Sequence, residues 1–391
     1  MPNDQGWSFF ATTLHGDGTE TLLEPDLPLS STRINNVLSG RNSLTGTVGV
    51  EVARLKNPNV AVTGEETIFL PFSTCVYGVL DGQIRGGGIV KTAPLGDPQV
   101  EVTCIGFVGY IDKYFPEGLQ RSFIDADPSI MVRDLWDYVQ GVKGSNIGLE
   151  LDIDPLATPV RLGTKASSDS EDGPWTMNDW DTEDLGAKWD DLVADGQMDY
   201  WEEHILQGAA PTKDSNPGDP IDIRHVLHVN YPGSGRRRDD LRFVVGENVR
   251  EVPTINVDGD FYADEIVVLG SGQGRKMVRA SWPTTATGRL HRPMAFSVKT
   301  ADTAQKAKLR AHQIALAYQG DQDLTDLTIR NHPNAQLGAW GLGDTITVRG
   351  SGIGWAGDLN MKVRILGYEL DPDDGDDAQL SATRAGRLSN G

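Results

Sequence analysis

Short apolar segments, broken every few residues by glycine, proline or aspartate, constrain the fold of this chain more than any other feature. The segment 44–55 alternates apolar with small or polar residues, as a half-buried strand does. Asp81-Gly82, between two apolar runs, is a two-residue hairpin signal. We therefore predict strands at 44–55, 67–72, 75–80, 82–91 and 99–110.

The composition indicates a mainly β protein with a few helices (α+β). The 391 residues include 45 glycines and 21 prolines, which favour frequent turns, and the length exceeds that of one ordinary core, so two to four domains are expected. The strand spacing suggests a small barrel or sandwich at the N-terminus. The parts are an N-terminal β domain, a helix-containing segment, an inserted acidic arm with its linker, a β domain, and a helix with C-terminal strands, at 1–120, 121–163, 164–222, 223–300 and 301–391.

Four helices are predicted among these strands. Asp127-Pro128 supplies an N-cap and a proline at the first helical position, and apolar residues then recur at helical spacing up to Gly144. Residues 302–319 form the clearest helical pattern, with an alanine-rich side. Two short amphipathic helices are expected in the acidic arm, at 183–194 and 197–206.

The net charge of −21 argues against a protein that holds nucleic acid, because such a protein needs a basic face. The triplet 236–238 (RRR) is a local exception, but it lies in a glycine-rich loop that two aspartates close. It is interpreted as a solvated hairpin tip. DNA binding of a specific kind is not expected.

The segment 264–280 (DEIVVLGSGQGRKMVRA) looks most like a nucleotide-binding motif. A phosphate site of that kind needs a strand, a glycine turn and then a helix. Here the residues after the glycines alternate and run into Trp282-Pro283, and the glycine spacing differs from G-x-G-x-x-G. Two strands joined by a glycine bridge are predicted instead, and no cofactor is expected.

The acidic arm is the least ordinary part of the sequence. Between Asp169 and Glu203 it has thirteen acidic residues against one lysine. Such acids could bind Ca²⁺ or flank a sugar, with tryptophans as stacking platforms. The arm lacks the spacing of a calcium loop, so its tryptophans are predicted to pack against the body or a neighbouring subunit. These possible partner-contact residues are Trp175, Trp180, Trp189 and Trp201.

Other candidate sites are interpreted as structural. The acidic cluster 371–377 lies between two alternating segments and is predicted to be a hairpin turn. His225 and His228 are three apart on a predicted strand and therefore face opposite sides, which disfavours a shared metal. Cys75 and Cys104 are expected to be buried free thiols. No catalytic or metal-binding residue is assigned, and no apolar run is long enough for a membrane anchor.

Four segments, in this order, resemble the minor tail or baseplate hub proteins of long-tailed phages, especially those of actinobacteria. They cover most of the chain outside 164–222. The first is a β block that ends in 100–115, and the second is the helix at 127–141 with the strand after it. The third and fourth are 265–274 with its following strand and the alanine-rich helix with the strands at 342–350 and 362–384.

The resemblance implies a non-enzymatic structural protein. Two small β-barrel tube-type domains, from 1–120 and part of 226–391, would pair into a pseudo-hexameric ring when three chains assemble. Such a hub closes or extends the tail tube of a virion made in the host cytoplasm. It joins the distal tail, tape-measure and fibre or spike proteins, and its lumen passes DNA during genome ejection. An acidic lumen suits that role, because it lets a polyanion slide.

Two other functions stay open. The tryptophan-rich arm could bind a receptor or carbohydrate at the tail. A cell-wall hydrolase could use Glu202 and Glu203 as acid and base, although adjacent carboxylates on a helix would point in different directions.

Overall fold

The computed structural model describes most of the chain. The described residues are 6–54, 67–94, 98–153, 158–165, 173–181, 184–257, 259, 262–284, 290–298, 301, 303–317, 322–325, 327–353 and 357–384. Parts of the acidic arm, at 166–172 and 182–183, lie outside them.

The N-terminal part is β, as predicted. Its elements are β1 (Trp7–Leu14), β2 (Glu20–Glu24), β3 (Ser30–Val37), β4 (Ser43–Gly49), α1 (Val50–Ala53), β5 (Thr74–Leu80), β6 (Gln83–Thr92) and β7 (Gln99–Ile105). Asp81 and Gly82 both have positive φ and form the tight turn between β5 and β6. Three predicted strands are wrong in extent: 44–55 ends in a short helix, 67–72 is a turn, and 99–110 ends in the 3-10 helix Phe107–Ile111.

The middle of the chain alternates strands with two helices. They are β8 (Gln120–Phe123), α2 (Pro128–Gly141), β9 (Leu149–Ile153), β10 (Trp175–Asn178), α3 (Leu185–Asp195), β11 (Asp199–Leu206), β12 (Pro220–Ile221) and β13 (Ile223–Asn230). The Asp127 carboxylate accepts from the Ser129 amide at 3.0 Å, so the predicted N-cap is confirmed. The helix predicted at 183–194 is confirmed as α3.

The helix predicted at 197–206 is wrong, because this segment is strand β11. Tyr200, Glu202 and His204 are buried while the residues between them are half-buried, which is the period of a strand. All eight residues of β11 pair with β13 in antiparallel register. Pairing with a distant strand therefore determines the structure of this segment, although its local sequence favours a helix.

The C-terminal part contains the remaining strands and one long helix. They are β14 (Phe243–Val244), β15 (Thr254–Val257), β16 (Glu265–Leu269), β17 (Arg279–Pro283), β18 (Pro293–Ser297), α4 (Ala304–Ala317), β19 (Gln322–Thr325), β20 (Leu327–Ile329), β21 (Thr345–Ile353), β22 (Gly357–Leu370) and β23 (Ala378–Arg384). The alanine-rich helix is confirmed as α4.

Two motif-like segments are turns, as predicted. The glycine segment after β16 leads through the 3-10 helix Gly274–Lys276 into β17, which returns antiparallel to β16. Gly272 and Gly274 have positive φ, a conformation for which glycine is suited. The acidic cluster 371–377 connects β22 to β23, and the Asp373 carboxylate accepts from the Thr32 amide at 2.8 Å.

One large sheet dominates the described structure. Its hydrogen-bonded neighbours follow the order β12-β2-β1-β5-β6-β7-β4-β3-β22-β21-β14, and β23 pairs with β22 and β20. The long strand β22 pairs with β23 over 363–370, with β21 over 357–364 and with β3 over 367–370. Because a strand has two edges, β21 and β3 share the edge opposite β23.

A mainly β architecture with a few helices is confirmed, but the two separate closed barrels are not observed. In the described residues the pairing order is open, since β12 and β14 at its two ends do not pair with each other. The physical reason is that the edge of β3 pairs with β22, so the N-terminal strands continue into the C-terminal strands. The division into five parts stays a prediction.

Four smaller sheets accompany the large one among the described residues. β11, β13 and β9 form a three-stranded sheet in the order β11-β13-β9, in which β13 and β9 are parallel. β17, β16 and β18 form another, and α4 packs on it through Ala307 and Ala311. Two strand pairs, β10 with β8 and β15 with β19, complete the described sheets.

Apolar cores lie on both faces of the large sheet. Along β5, Val76 and Leu80 belong to one core, whereas Cys75 and Tyr77 belong to the other. This alternation explains why β5 is buried along its whole length. Cys75 and Cys104 are both buried free thiols, as predicted, and they belong to different cores.

Gly88→Ala is predicted to destabilise the protein. A Cβ at position 88 would lie 2.3 Å from the Ile105 carbonyl oxygen, a backbone atom held by the pairing of β6 with β7. We expect the free energy of unfolding in urea to fall by about 1–3 kcal/mol. In the matched control, Gly141→Ala on α2, nothing lies within 4 Å of the new Cβ. The control should be neutral or stabilising by up to about 1 kcal/mol; equal stability of both variants would contradict this packing.

Candidate functional site

A buried polar network joins the three-stranded sheet to the large sheet. At its centre the Glu20 carboxylate of β2 accepts from the Thr12 hydroxyl, from the Tyr77 hydroxyl at 2.7 Å and from His225 Nε2 at 2.7 Å. Glu20 is 5% exposed and His225 is 1% exposed. A buried carboxylate needs such donors to offset the loss of water.

The two histidines of the network have defined roles when both are neutral. Because a carboxylate only accepts, His225 carries its proton on Nε2, and its Nδ1 accepts from His204 Nδ1 at 2.8 Å. His204 Nε2 is then an acceptor, and it is buried without a hydrogen-bond donor from the described part of the chain. Burial, with the neighbouring His225, lowers the pKa of His204 well below its usual range.

Glu202 lies on the same face of β11 as His204. Its Oε2 accepts from the Phe107 amide at 2.7 Å and the Val108 amide at 3.3 Å, at the start of the 3-10 helix Phe107–Ile111. Its Oε1 is buried, and no described residue gives it a hydrogen bond. Burial raises the pKa of Glu202 to about 7, and the two amides oppose that rise.

A cleft of about 990 Å³ opens beside this network. Glu202 and His204 border it from β11, and Arg85 borders it from β6. The loops 233–236 and 338–342 complete its lining, together with the aromatic side chains of Trp201, Trp340 and Tyr368. Burial raises the pKa of Tyr368 to about 12, so its hydroxyl stays neutral.

The arginines of the cleft differ in their partners. Arg238 pairs with Asp240 at 2.6 Å and with Asp344 at 3.4 Å. Arg85 has no carboxylate within ion-pair distance among the described residues, and its Nε is buried without a partner. Burial lowers the pKa of Arg85, because the charged guanidinium loses contact with water. A carboxylate is the chemical group that this guanidinium would bind best.

The predicted tryptophans do not form one surface. Trp189 is 1% exposed and packs against Trp136 and Tyr200 inside the chain, whereas Trp180 is 62% exposed. Trp175 packs on Phe123 and is half-buried. Trp201 is half-buried beside the cleft and stacks on His228 at 4.3 Å. Partner contact by these residues stays a prediction, and Trp180 presents the largest surface for it.

The two carboxylates suggested for a hydrolase diverge in the structure. Glu202 and Glu203 are neighbours on a strand and lie on opposite faces. Glu203 is 3.2 Å from His228 Nε2, on the face away from the buried network. The helix assumed for this segment was wrong, but the divergence of the two side chains is confirmed.

The histidines of β13 also face opposite sides, as their spacing predicts. His225 bonds Glu20 and His204, whereas His228 lies between Asp152 at 2.8 Å and Glu203 at 3.2 Å. These two carboxylates raise the pKa of His228 against the opposing effect of burial. In the described part of the chain no group of three or more potential ligands could hold a metal ion.

The arginine triplet 236–238 is partly a surface loop, as interpreted. Arg237 is exposed and pairs with Asp239 at 2.6 Å, but Arg238 is 7% exposed and its guanidinium also donates to the Ala339 carbonyl. The triplet therefore anchors the loop 338–342, which a solvated hairpin tip would not do. Among the described helices, none is long and apolar enough to cross a membrane.

The network and the cleft could not be found from the sequence. Glu20 and His225 are 205 positions apart, and no local spacing links them. Arg85 lies in a glycine-rich strand that gives no sign of a cleft. The detectable signal was the alternation of β11, which places Glu202 and His204 on one face.

Comparison with solved structures identifies proteins of the same fold. The tail protein from Neisseria meningitidis MC58 is 16% identical, with a TM-score of 0.57 and coverage of 98% of each chain. The prophage MuSo2 43 kDa tail protein from Shewanella oneidensis is 14% identical, with a TM-score of 0.56 and coverage of 98% of this chain and 100% of that one. The prophage tail protein gp18 from Listeria monocytogenes EGD-e is 11% identical, with a TM-score of 0.52 and coverage of 98% and 95%.

These likenesses extend over nearly the whole chain, but at such identities they show the fold alone. No protein-family model matches the sequence, and no curated protein sequence matches it significantly. The chain therefore has the fold of phage tail proteins.

Glu202→Gln is predicted to change how stability depends on pH. Glu202 has a pKa of about 7 in the fold, against 4.5 for a glutamate that is free in water. Its contribution is therefore full below about pH 4.5 and is lost as the pH rises through 7. Relative to the Gln variant, the wild type should gain up to about 3 kcal/mol of unfolding free energy between pH 8 and pH 5.

Urea unfolding at pH 8 and at pH 5 measures this difference. Glu101→Gln, on an exposed position of β7, is the matched control and should keep the pH dependence of the wild type. A stability difference between wild type and Glu202→Gln that is the same at both pH values would contradict the buried, partly unpaired carboxylate.

Proposed function

We propose that this chain is a structural hub protein of a phage tail tip and has no catalytic role. The single observation that carries the proposal is the whole-chain fold likeness to three phage tail proteins, which covers 98% of this chain in each case. A likeness confined to one domain would allow a tail-type module in an unrelated protein. One that spans both the N-terminal and the C-terminal strands supports the same overall architecture.

The assembly proposed is a homotrimer with a central lumen. Each chain would contribute its N-terminal strands and its C-terminal strands as two similar blocks, so that three chains form a pseudo-hexameric ring. The continuous sheet through β3 and β22 supports this arrangement, because it holds the two blocks in a fixed relation. The ring would join the distal tail and tape-measure proteins to a fibre or spike, as part of a virion.

Electrostatics support a conduit for DNA. A net charge of −21 disfavours attraction of the phosphate backbone and the counterion release that nucleic-acid binding requires. DNA would therefore pass the lumen without being retained. Cys75 is buried, and burial raises its thiol pKa well above the usual value, which disfavours a nucleophilic role for this cysteine.

A second candidate function rests on the exposure of Trp180. At 62% exposed, this side chain on the acidic arm could stack on a sugar of a receptor. The same exposure would suit a contact with a neighbouring subunit of the proposed trimer. Binding of cell-wall glycan by the isolated chain would favour the receptor function.

The hub proposal predicts a concentration-dependent trimer. The mass in solution, measured by sedimentation equilibrium over a concentration series, should rise from 42.4 kDa towards three times that value. Negative-stain images of the heaviest species should show a ring with a central hole. A monomer at all concentrations that binds cell-wall glycan would instead support the receptor function and contradict the hub.

Trp180→Ala is predicted to weaken association without destabilising the chain. Removal of an exposed tryptophan from an interface can raise a dissociation constant tenfold or more, whereas loss of a 62% exposed side chain leaves the core intact. The matched control is Leu290→Ala, since Leu290 is 87% exposed in a different part of the chain. Identical trimer dissociation constants for wild type and Trp180→Ala would remove Trp180 from the interface.

A further inference from the structure

The strand β11 has a free edge at the cleft. In the sheet order β11-β13-β9, β11 pairs with β13 on one side and with no strand of the described residues on the other. The Tyr200 carbonyl accepts from the Ser39 amide at 2.8 Å, and the Tyr200 amide donates to the Ser39 hydroxyl at 3.2 Å. The backbone groups of Tyr200 therefore point away from β13.

Alternation along an antiparallel strand then assigns the next backbone groups. Since Tyr200 points away from β13, Glu202 and His204 do so as well. The Gln207 amide donates to the Asp222 carbonyl at 3.0 Å, next to the start of β13. Gln207 is an odd number of residues from Tyr200, so alternation predicts that its backbone points towards β13, as observed. On this side of β11 no strand of the described residues pairs with Glu202 or His204, and both residues border the cleft.

Unpaired strand edges are templates for strand addition, and proteins normally cover them. Glu202 and His204 are each only 8% exposed and border the cleft, so a segment that paired with this edge would lie within the cleft and not on an open surface. A volume of about 990 Å³ is large enough for several residues of extended chain. An added strand would rise about 3.3 Å per residue beside β11.

The charges of the cleft select the added segment. Arg85 has no carboxylate partner, and its guanidinium packs against the loop at Gly338, where a Cβ would lie 2.4 Å from its Nη1. Arg236 is exposed at the rim and has no ion pair among the described residues. By contrast, Glu203 at the other side is already held by His228. The unpaired cations of the cleft are therefore two arginines, against one carboxyl group, Glu202, whose raised pKa of about 7 keeps it mostly protonated below that pH.

We propose that this cleft binds an extended acidic segment of a partner protein by strand addition to β11, with a carboxylate of the segment on Arg85. Backbone hydrogen bonds to Glu202 and His204 would set the register, and apolar side chains of the segment would pack on Trp340 and Tyr368. The site is complete within one chain, so it does not depend on ring assembly.

The test is fluorescence anisotropy with a defined probe. The probe is a fluorescein-labelled octapeptide in which valine and glutamate alternate, titrated with the full chain at low salt. Saturable binding is expected, weakened at least tenfold by Arg85→Gln and by added salt, because a charge-assisted hydrogen bond is lost or screened. Amide hydrogen exchange of β11 should slow when the probe is bound.

Two matched controls isolate the edge and the charge. Arg279→Gln changes an exposed arginine on β17, outside the cleft, and should bind the probe as the wild type does. A probe with N-methyl groups on alternate amides cannot pair with the edge and should not bind. Arg236→Gln is a second cleft variant, and unfolding in urea verifies that each variant is folded.

Clear outcomes would overturn the proposal. They are no saturable binding, equal binding of an octapeptide with lysine in place of glutamate, or unchanged affinity in folded Arg85→Gln. If Arg85→Gln instead abolished self-association while the probe did not bind, the occupant would be a second copy of this chain. That result would overturn the acidic partner and leave the hub proposal standing.

Discussion

The pairing of β22 with β3 is the constraint on which the rest of the structure depends. Ile34 of β3 stands opposite Leu370 of β22, and both side chains are fully buried. Ile34 occupies space that a side chain on β6 would fill, since a Cβ at Gly86 would lie 2.2 Å from its Cγ2. Two antiparallel blocks from opposite ends of the chain thereby become one sheet. Such pairing between distant parts of the sequence is expected to form slowly during folding.

The second face of that sheet carries the polar network, and the network explains the cleft. Glu20 fixes His225, which fixes His204, so β11 is held with its buried face on the large sheet and its edge towards the loops 233–236 and 338–342. The unpartnered atoms of Glu202, His204 and Arg85 belong to residues that border this one cleft. Buried polar groups without partners are costly, and these three lie at the cleft for which we propose a partner segment. The other five such atoms of the described residues lie elsewhere.

How far the sequence predicted this structure depended on the range of the interactions. Helices α2 and α4 were predictable because caps and apolar spacing are local, and the turns at 81–82 and 371–377 were predictable because turn chemistry is local. The acidic, amphipathic pattern of 197–206 predicts a helix, but pairing with β13 makes this segment a strand. Open sheet topology, the Glu20 network and the unpaired Arg85 all arise between residues far apart in sequence, where no local pattern carries information.

We propose that three copies of this chain form a ring around a lumen through which DNA can pass. Electron cryomicroscopy of the purified assembly tests it most directly, because the map shows the number of copies and the lining of the lumen together. The proposed trimer predicts threefold symmetry, with six similar β blocks around an open channel whose surface is mainly acidic. A map with another symmetry, a closed centre or a basic channel wall would contradict it.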